Sequence, residues 1–180
     1  MTIRLQGVSK YFGRFCALDA LSLALPAGSS TVIYGPSGSG KTTLLRLIAG
    51  LEVPSQGEIT LADELASTPD WIRPPHQREV GFVFQDPALW PHLTVAQNVG
   101  FGILDRPKRE VRQRVEAVLS AFDLHPMRGR YPNQLSGGQA RRVALARTLV
   151  VNPRYLLLDE PLTHLQPALK WELFETIIHQ

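Results

Sequence analysis

Cysteine is almost absent from this 180-residue chain. Cys16 is the sole example, so no internal disulfide can form, and the composition suits a reducing compartment. Cys16 itself reads as a small, partly buried hydrophobe. Long apolar runs are missing too: nothing approaches the ~18 residues needed to cross a bilayer, and Arg46 interrupts the candidate at Leu44–Leu51. Residues 1–10 mix Arg4 and Lys10 with short apolar steps and carry no signal-peptide pattern. There is no low-complexity tract and no internal repeat, which argues against a disordered or solenoid chain. Neither sign of charge dominates, with 19 Lys and Arg against 16 Asp and Glu. The densest basic stretch holds Arg106, Lys108, Arg109, Arg112 and Arg114; it reads as a solvated helix face, and no nucleic-acid partner is expected. His76 and His92 lack partners at metal-ligand spacing and read as surface or loop residues. What remains is a soluble globular chain, long enough for one domain or a core with an insert, able to bury about 70% of its unfolded surface.

The most informative residues present are Gly35, Pro36, Ser37, Gly38, Ser39, Gly40, Lys41, Thr42 and Thr43. They fit the pattern G-x-x-x-x-G-K-[ST], with an apolar run at Thr31–Tyr34 before it and a helical pattern at Thr43–Ala49 after it. A buried strand, a glycine loop and a helix in that order wrap the phosphates of a nucleoside triphosphate. Glycines allow the tight turn that aims N–H groups inward, and the helix dipole adds positive potential. Lys41 can reach the β- and γ-phosphates, and the Thr42 hydroxyl can ligate Mg²⁺.

Alternation at Thr2–Val8 and Leu21–Leu25 predicts half-buried strands, and Gly57–Leu61 and Val80–Phe84 predict two more. Residues 62–79, with Pro69, Pro74 and Pro75, read mostly as connection. After Gln85 the texture turns helical, at about 94–103 and 108–122, the first opened by a Thr94/Gln97 capping box. A third helix follows a turn at 132–133, a buried strand covers Arg154–Leu158, and helical spacing returns at Pro167–His179. The expected fold is α/β, with a largely parallel sheet flanked by helices and an N-terminal antiparallel part. Its P-loop core would span residues 1–86 and 133–180, with a helical subdomain inserted at 87–132.

Two further motifs narrow the chemistry. Leu156–Leu158 ends in Asp159 and Glu160, so a buried strand delivers two carboxylates to one sheet edge. Asp159 could hold hydrated Mg²⁺ and Glu160 could polarise the attacking water; the plain alternative is a pair of acids capping a strand. At Leu135–Gln139, Ser136 is a natural N-cap, Gln139 completes a capping box, and Gly137 and Gly138 leave the first amides open to an anion. A second phosphate-binding helix end in one chain suggests a site completed between two subunits.

In order, GPSGSGKTT at 35–43, Gln85 ending a strand, LSGGQ at 135–139 and LLLDEP at 156–161 resemble the ATP-binding subunits of ABC transporters. The likeness extends over essentially the whole chain. It implies an ATPase, with ATP and Mg²⁺, in which two subunits pair head to tail. Ser136, Gly137, Gly138 and Gln139 would then serve the partner's nucleotide. Gln85 would approach Mg²⁺ and the attacking water. Phe12 falls where the family stacks an aromatic on adenine, although Tyr11 is adjacent and a buried aromatic is the alternative. Residues 74–85 and 88–98 are similar to the importer branch serving iron, polyamines, thiamine and inorganic anions. There, Leu89, Trp90 and Leu93 would floor a groove for a permease helix, or else simply pack the helical insert. The implied protein is cytoplasmic, peripheral on the inner face of the membrane, and works with a permease and a solute-binding protein.

Two departures temper that resemblance. Gln166 stands where the family has a coupling aspartate, so a hydrogen-bonding amide replaces a charge. The family's next strand, ending in a histidine at the γ-phosphate, is not matched, because His164 and His179 are both misplaced for it. The expectation is a fragment or a shortened member whose residues 1–180 bind ATP but hydrolyse it slowly. The alternative function is a nucleotide-binding interaction module with little or no ATPase activity.

Overall fold

The computed structural model describes residues 2–160; the expected helix at 167–179, with Gln166, His164 and His179, lies outside them. The chain divides between Val80 and Gly81 into two compact units.

The first unit is built on a five-stranded antiparallel sheet in the order β2-β1-β3-β4-β5. Its strands are β1 (Ile3–Phe12), β2 (Phe15–Leu25), β3 (Gln56–Leu61), β4 (Glu64–Thr68) and β5 (Trp71–Ile72). Ile3, Leu5 and Val8 of β1 and Ile59 and Leu61 of β3 are buried, whereas Arg4 between them is exposed. That alternation buries one sheet face, and in the same unit α1 (Lys41–Ala49) buries Leu44, Leu47 and Ile48. Each such side chain is worth about 1.5–3 kcal/mol when taken from water.

Two expectations for this unit fail. Residues 62–79 are not mainly connection, since β4 and β5 form there and extend the sheet through the pairs Ile59↔Ser67 and Ser67↔Ile72. Thr31–Tyr34 is not a buried strand: it carries no regular element, with Val32 81% and Tyr34 99% exposed. Apolar, β-branched residues favour a pleated surface, but a strand exists only through a ladder, and none forms at these four among the described residues. Cys16 is also exposed rather than partly buried, its Sγ lying 3.3 Å from the Leu18 carbonyl.

Among the described residues, the second unit carries a two-stranded sheet of β6 (Val80–Val83) and β7 (Tyr155–Leu158) with the helices α2 (Val95–Gly100), α3 (Lys108–Ala121) and α4 (Gly137–Leu149). Its core gathers Val83, Val95, Val99, Leu119, Phe122 and Leu145, each nearly or fully buried. Thr94 caps α2 with the reciprocal bonds expected, Gln97 N–H to Thr94 Oγ1 at 3.3 Å and Thr94 N–H to Gln97 Oε1 at 2.8 Å. On α3 the basic stretch is partly neutralised, because Glu110 pairs with Arg106 at 2.7 Å and Arg114 at 3.0 Å. No described helix is long and apolar enough to cross a membrane.

Candidate nucleotide site

Gly35–Gly40 forms a turn, closed by Ser39 N–H donating to the Pro36 carbonyl at 3.2 Å, that delivers the chain into α1. Gly40 is the N-cap of α1 at φ 86, and no side chain caps it. The left-handed backbone requires glycine there, and a Cβ would sit 2.5 Å from the Ala17 carbonyl oxygen. The first turn of α1 carries no acid, so the positive end of the helix dipole there favours an anion. Lys41 Nζ donates to the carbonyls of Gly35 at 2.9 Å and Pro36 at 2.8 Å, which holds the ammonium across the loop. A cleft of about 330 Å³ opens here, lined by Leu18, Leu21, Tyr34, Gly35 and Lys41 among others.

In the same unit, Phe12 ends β1 opposite Phe15 of β2, and both rings are solvent-facing, at 46% and 60% exposure. The buried-aromatic alternative for Phe12 is therefore excluded. Lys10 Nζ lies 4.9 Å from the Phe12 ring centroid, a cation–π distance. Glu52 at 2.9 Å and the Val53 carbonyl at 2.8 Å fix that ammonium.

One residue that the sequence did not single out anchors the far end of the P-loop helix. Arg78 is 2% exposed, and all its bonds go to neutral oxygens. It donates to Leu47 at 3.2 Å and Ile48 at 2.9 Å on α1, to Ala66 at 2.7 Å and Ser67 Oγ at 2.6 Å on β4, and to Arg73 at 2.7 Å. Burial, and then the neighbouring Arg73, push its guanidinium down to about 10, so it stays charged at neutral pH. A cation on the last carbonyls complements the negative end of the helix. Gly50, the C-cap at φ 77, makes room for it, since a Cβ there would strike Arg78 Nε.

In the second unit β6 and β7 end together, with Asp159 N–H donating to the Val83 carbonyl at 3.0 Å. Asp159 is buried at 7% exposure, whereas Glu160 is exposed in a left-handed conformation at φ 48. A non-glycine residue held there carries backbone strain of about 1–3 kcal/mol. Gln85 Nε2 donates to Glu160 Oε2 in a long bond of 3.4 Å, so these two residues, 75 apart in sequence, share one sheet edge. Ser136 caps α4 as expected: Gln139 N–H donates to Ser136 Oγ at 3.3 Å and Ser136 N–H to Gln139 Oε1 at 2.9 Å. Ser136 and Gly137 are exposed at this helix start.

Beyond Gln85, Leu89 packs against the helical core, Leu93 is partly buried, and Trp90 is 44% exposed. The Trp90 ring leans on Phe101 at 5.4 Å between centroids. Asn98, fully buried, and Arg147 hold this segment; Asn98 closes the 88–98 stretch read as importer-like, but no structural role was read for either residue.

The glycine loop, the acid pair and the capped glycine helix each stand on a distinct element, and a family model described as ABC transporter matches residues 18–163. The chain belongs to the ABC transporter family. Among curated proteins it is 49% identical over 179 residues to the sulfate/thiosulfate import ATP-binding protein CysA 1 of Agrobacterium fabrum, covering 96% of this chain and 51% of that protein. It is 44% identical over 177 residues to the Fe(3+) ions import ATP-binding protein FbpC 1 of Pectobacterium atrosepticum, covering 97% of this chain and 49% of that protein. The chain thus spans about half the length of the curated relatives it matches. Among solved structures it resembles a dimeric post-hydrolysis state of an ATP-binding cassette bound to ADP and Pi, with a TM-score of 0.86, 32% identity, and coverage of 97% of this chain and 81% of that one. That likeness supports the α/β P-loop fold class read from the sequence.

Proposed function

We propose that this ABC family chain is the ATP-binding subunit that energises import of a solute, hydrolysing ATP as one of a head-to-tail pair. The observation that carries the reading is the P-loop helix, whose uncapped, acid-free first turn stands beside the Lys41 ammonium in an open cleft. Gly35–Gly40, Lys41, Thr42 and Thr43 would hold the phosphates, and Phe12 would take the adenine on its exposed ring.

Thr42, Gln85 and Asp159 would each supply an oxygen of the kind Mg²⁺ prefers. Among the described residues no cluster of three His, Cys, Asp or Glu could hold a metal alone. Such a donor set fits Mg²⁺, which is usually bound by one or two carboxylates together with substrate phosphates and water. The ion, when bound, neutralises charge on the phosphates. Glu160, exposed and hydrogen-bonded to Gln85, is the base that takes a proton from the attacking water, and Gln85 orients that water. Ser136, Gly137, Gly138 and Gln139 would close on the nucleotide of the opposite subunit, a role that fits their exposed helix start.

Residues 87–132 would act as the helical insert in a core of 1–86 and 133–180, with Leu89, Trp90 and Leu93 as the permease contact. The subunit would then sit on the cytoplasmic face of the membrane through that permease, with a solute-binding protein completing the system. Steady-state phosphate release in Mg²⁺ and ATP tests the enzyme reading. Turnover that vanishes in Glu160→Gln, while binding of a fluorescent ATP analogue persists, is the expected result. Binding without turnover in the unmodified protein would instead support the nucleotide-binding interaction module. Trp90→Ala should weaken co-purification with the permease about tenfold or more while leaving ATP affinity intact.

A further inference from the structure

Residues 86–94 leave the sheet after Gln85 and reach α2 with no regular secondary structure, yet the segment is held at nearly every turn. Asp86 Oδ1 accepts from the Ala88 N–H at 3.1 Å, closing a turn in which Ala88 is left-handed at φ 43. From α4, the Arg147 guanidinium donates through Nη2 to the Pro87 carbonyl at 3.0 Å and through Nη1 to the Ala88 carbonyl at 2.9 Å. From α2, Asn98 uses its whole amide: Oδ1 accepts from Trp90 N–H at 2.9 Å, and Nδ2 faces the carbonyls of Trp90 at 3.1 Å, Leu93 at 2.9 Å and Thr94 at 3.1 Å. Two helices therefore grip one loop, Arg147 near its entry and Asn98 at its exit.

Arg147 sits near the end of the helix that begins at Ser136. Between them, Val143, Ala144, Leu145 and Ala146 are buried in the unit's core, so α4 is a packed rod about 20 Å long rather than a pliable strap. Desolvation holds the Arg147 guanidinium below the usual arginine value, a cost borne for bonds to two backbone carbonyls. The planar fork matters, because one ammonium cannot reproduce two fixed donors aimed at successive carbonyls.

Resting on the reading that α4 faces a nucleotide and that the Trp90 segment faces the permease, we propose that Arg147 is the positioning residue that ties the two together. Movement of the Ser136 end of α4 on nucleotide closure is carried by Arg147 into residues 87–90, and Asn98 makes that loop move as a body instead of flexing.

Hydrogen exchange on the intact protein tests this, following peptides across residues 86–93 with and without a non-hydrolysable ATP analogue and Mg²⁺. Nucleotide should slow exchange of this loop in the unmodified protein. In Arg147→Met the loop should exchange faster and the ratio of rates without and with nucleotide should fall to about one, while the Kd for the analogue stays unchanged. Arg147→Lys, the milder change should Arg147→Met fold poorly, should recover only part of the ratio. A residue that merely stabilises the loop would raise both rates equally and preserve the ratio, which would overturn the proposal, as would an unmodified loop indifferent to nucleotide. Lys41→Ala separates the two readings: a full nucleotide response in that variant would sink the phosphate site itself.

Discussion

Two helices of this protein begin at glycine-rich motifs, and they begin in opposite ways. α1 starts at Gly40 with no side-chain cap and with a lysine laid across the preceding loop, whereas α4 starts at Ser136 inside a complete capping box. An uncapped helix end leaves its first amides for something else and is less stable alone; a boxed end satisfies two of them internally. The contrast assigns different tasks. Under the proposed function the α1 end would hold a phosphate within its own subunit, while the α4 end, already capped, would wait for another molecule at its exposed serine and glycine. Their far ends differ in the same sense: α1 is fixed to the sheet by Arg78, and α4 holds a loop through Arg147.

That contrast is open to direct attack. The largest effect is expected at Lys41: Lys41→Ala, which removes the ammonium with its side chain, should weaken ATP binding by roughly 10- to 100-fold, the worth of a charge-assisted bond, as read by titration of a fluorescent analogue. Gly40→Ala should come next, with about 1–3 kcal/mol of stability lost in urea unfolding through the left-handed backbone and the crowded Ala17 carbonyl, and ATP affinity lost alongside. Ser136→Ala should cost about 1 kcal/mol of stability by opening the box, yet leave the isolated subunit's ATP affinity unchanged. Equal loss of ATP affinity in the α1 and α4 variants would erase the distinction between the two ends.

How legible all this was in the sequence follows the range of the interactions. The glycine turn and helix at residues 35–49, the Ser136/Gln139 and Thr94/Gln97 boxes and the Asp159/Glu160 strand end are local patterns, fixed by spacings of a few residues, and these form as read, whereas the strand expected before the glycine turn does not. The hidden features are long-range. Arg78 reaches carbonyls 30 and 31 residues away, and Arg147 reaches 59 and 60, so no window of sequence displays them. Thr31–Tyr34 has the composition of a buried strand, but composition supplies no neighbour to pair with. The prolines at 69, 74 and 75 were fair warning of turns, yet Trp71–Ile72 fits between them as a short edge strand, where proline is tolerated.

The central claim is that the P-loop helix α1 of one copy and the Ser136 end of α4 in another copy make each site. Mixing two inactive variants, Lys41→Ala and Ser136→Arg, measures this through ATP turnover. In a head-to-tail pair both lesions fall in one site and the other site is left intact, so the mixture should hydrolyse ATP although neither variant does alone. Turnover in the mixture no greater than the sum of the two separate variants would contradict the account.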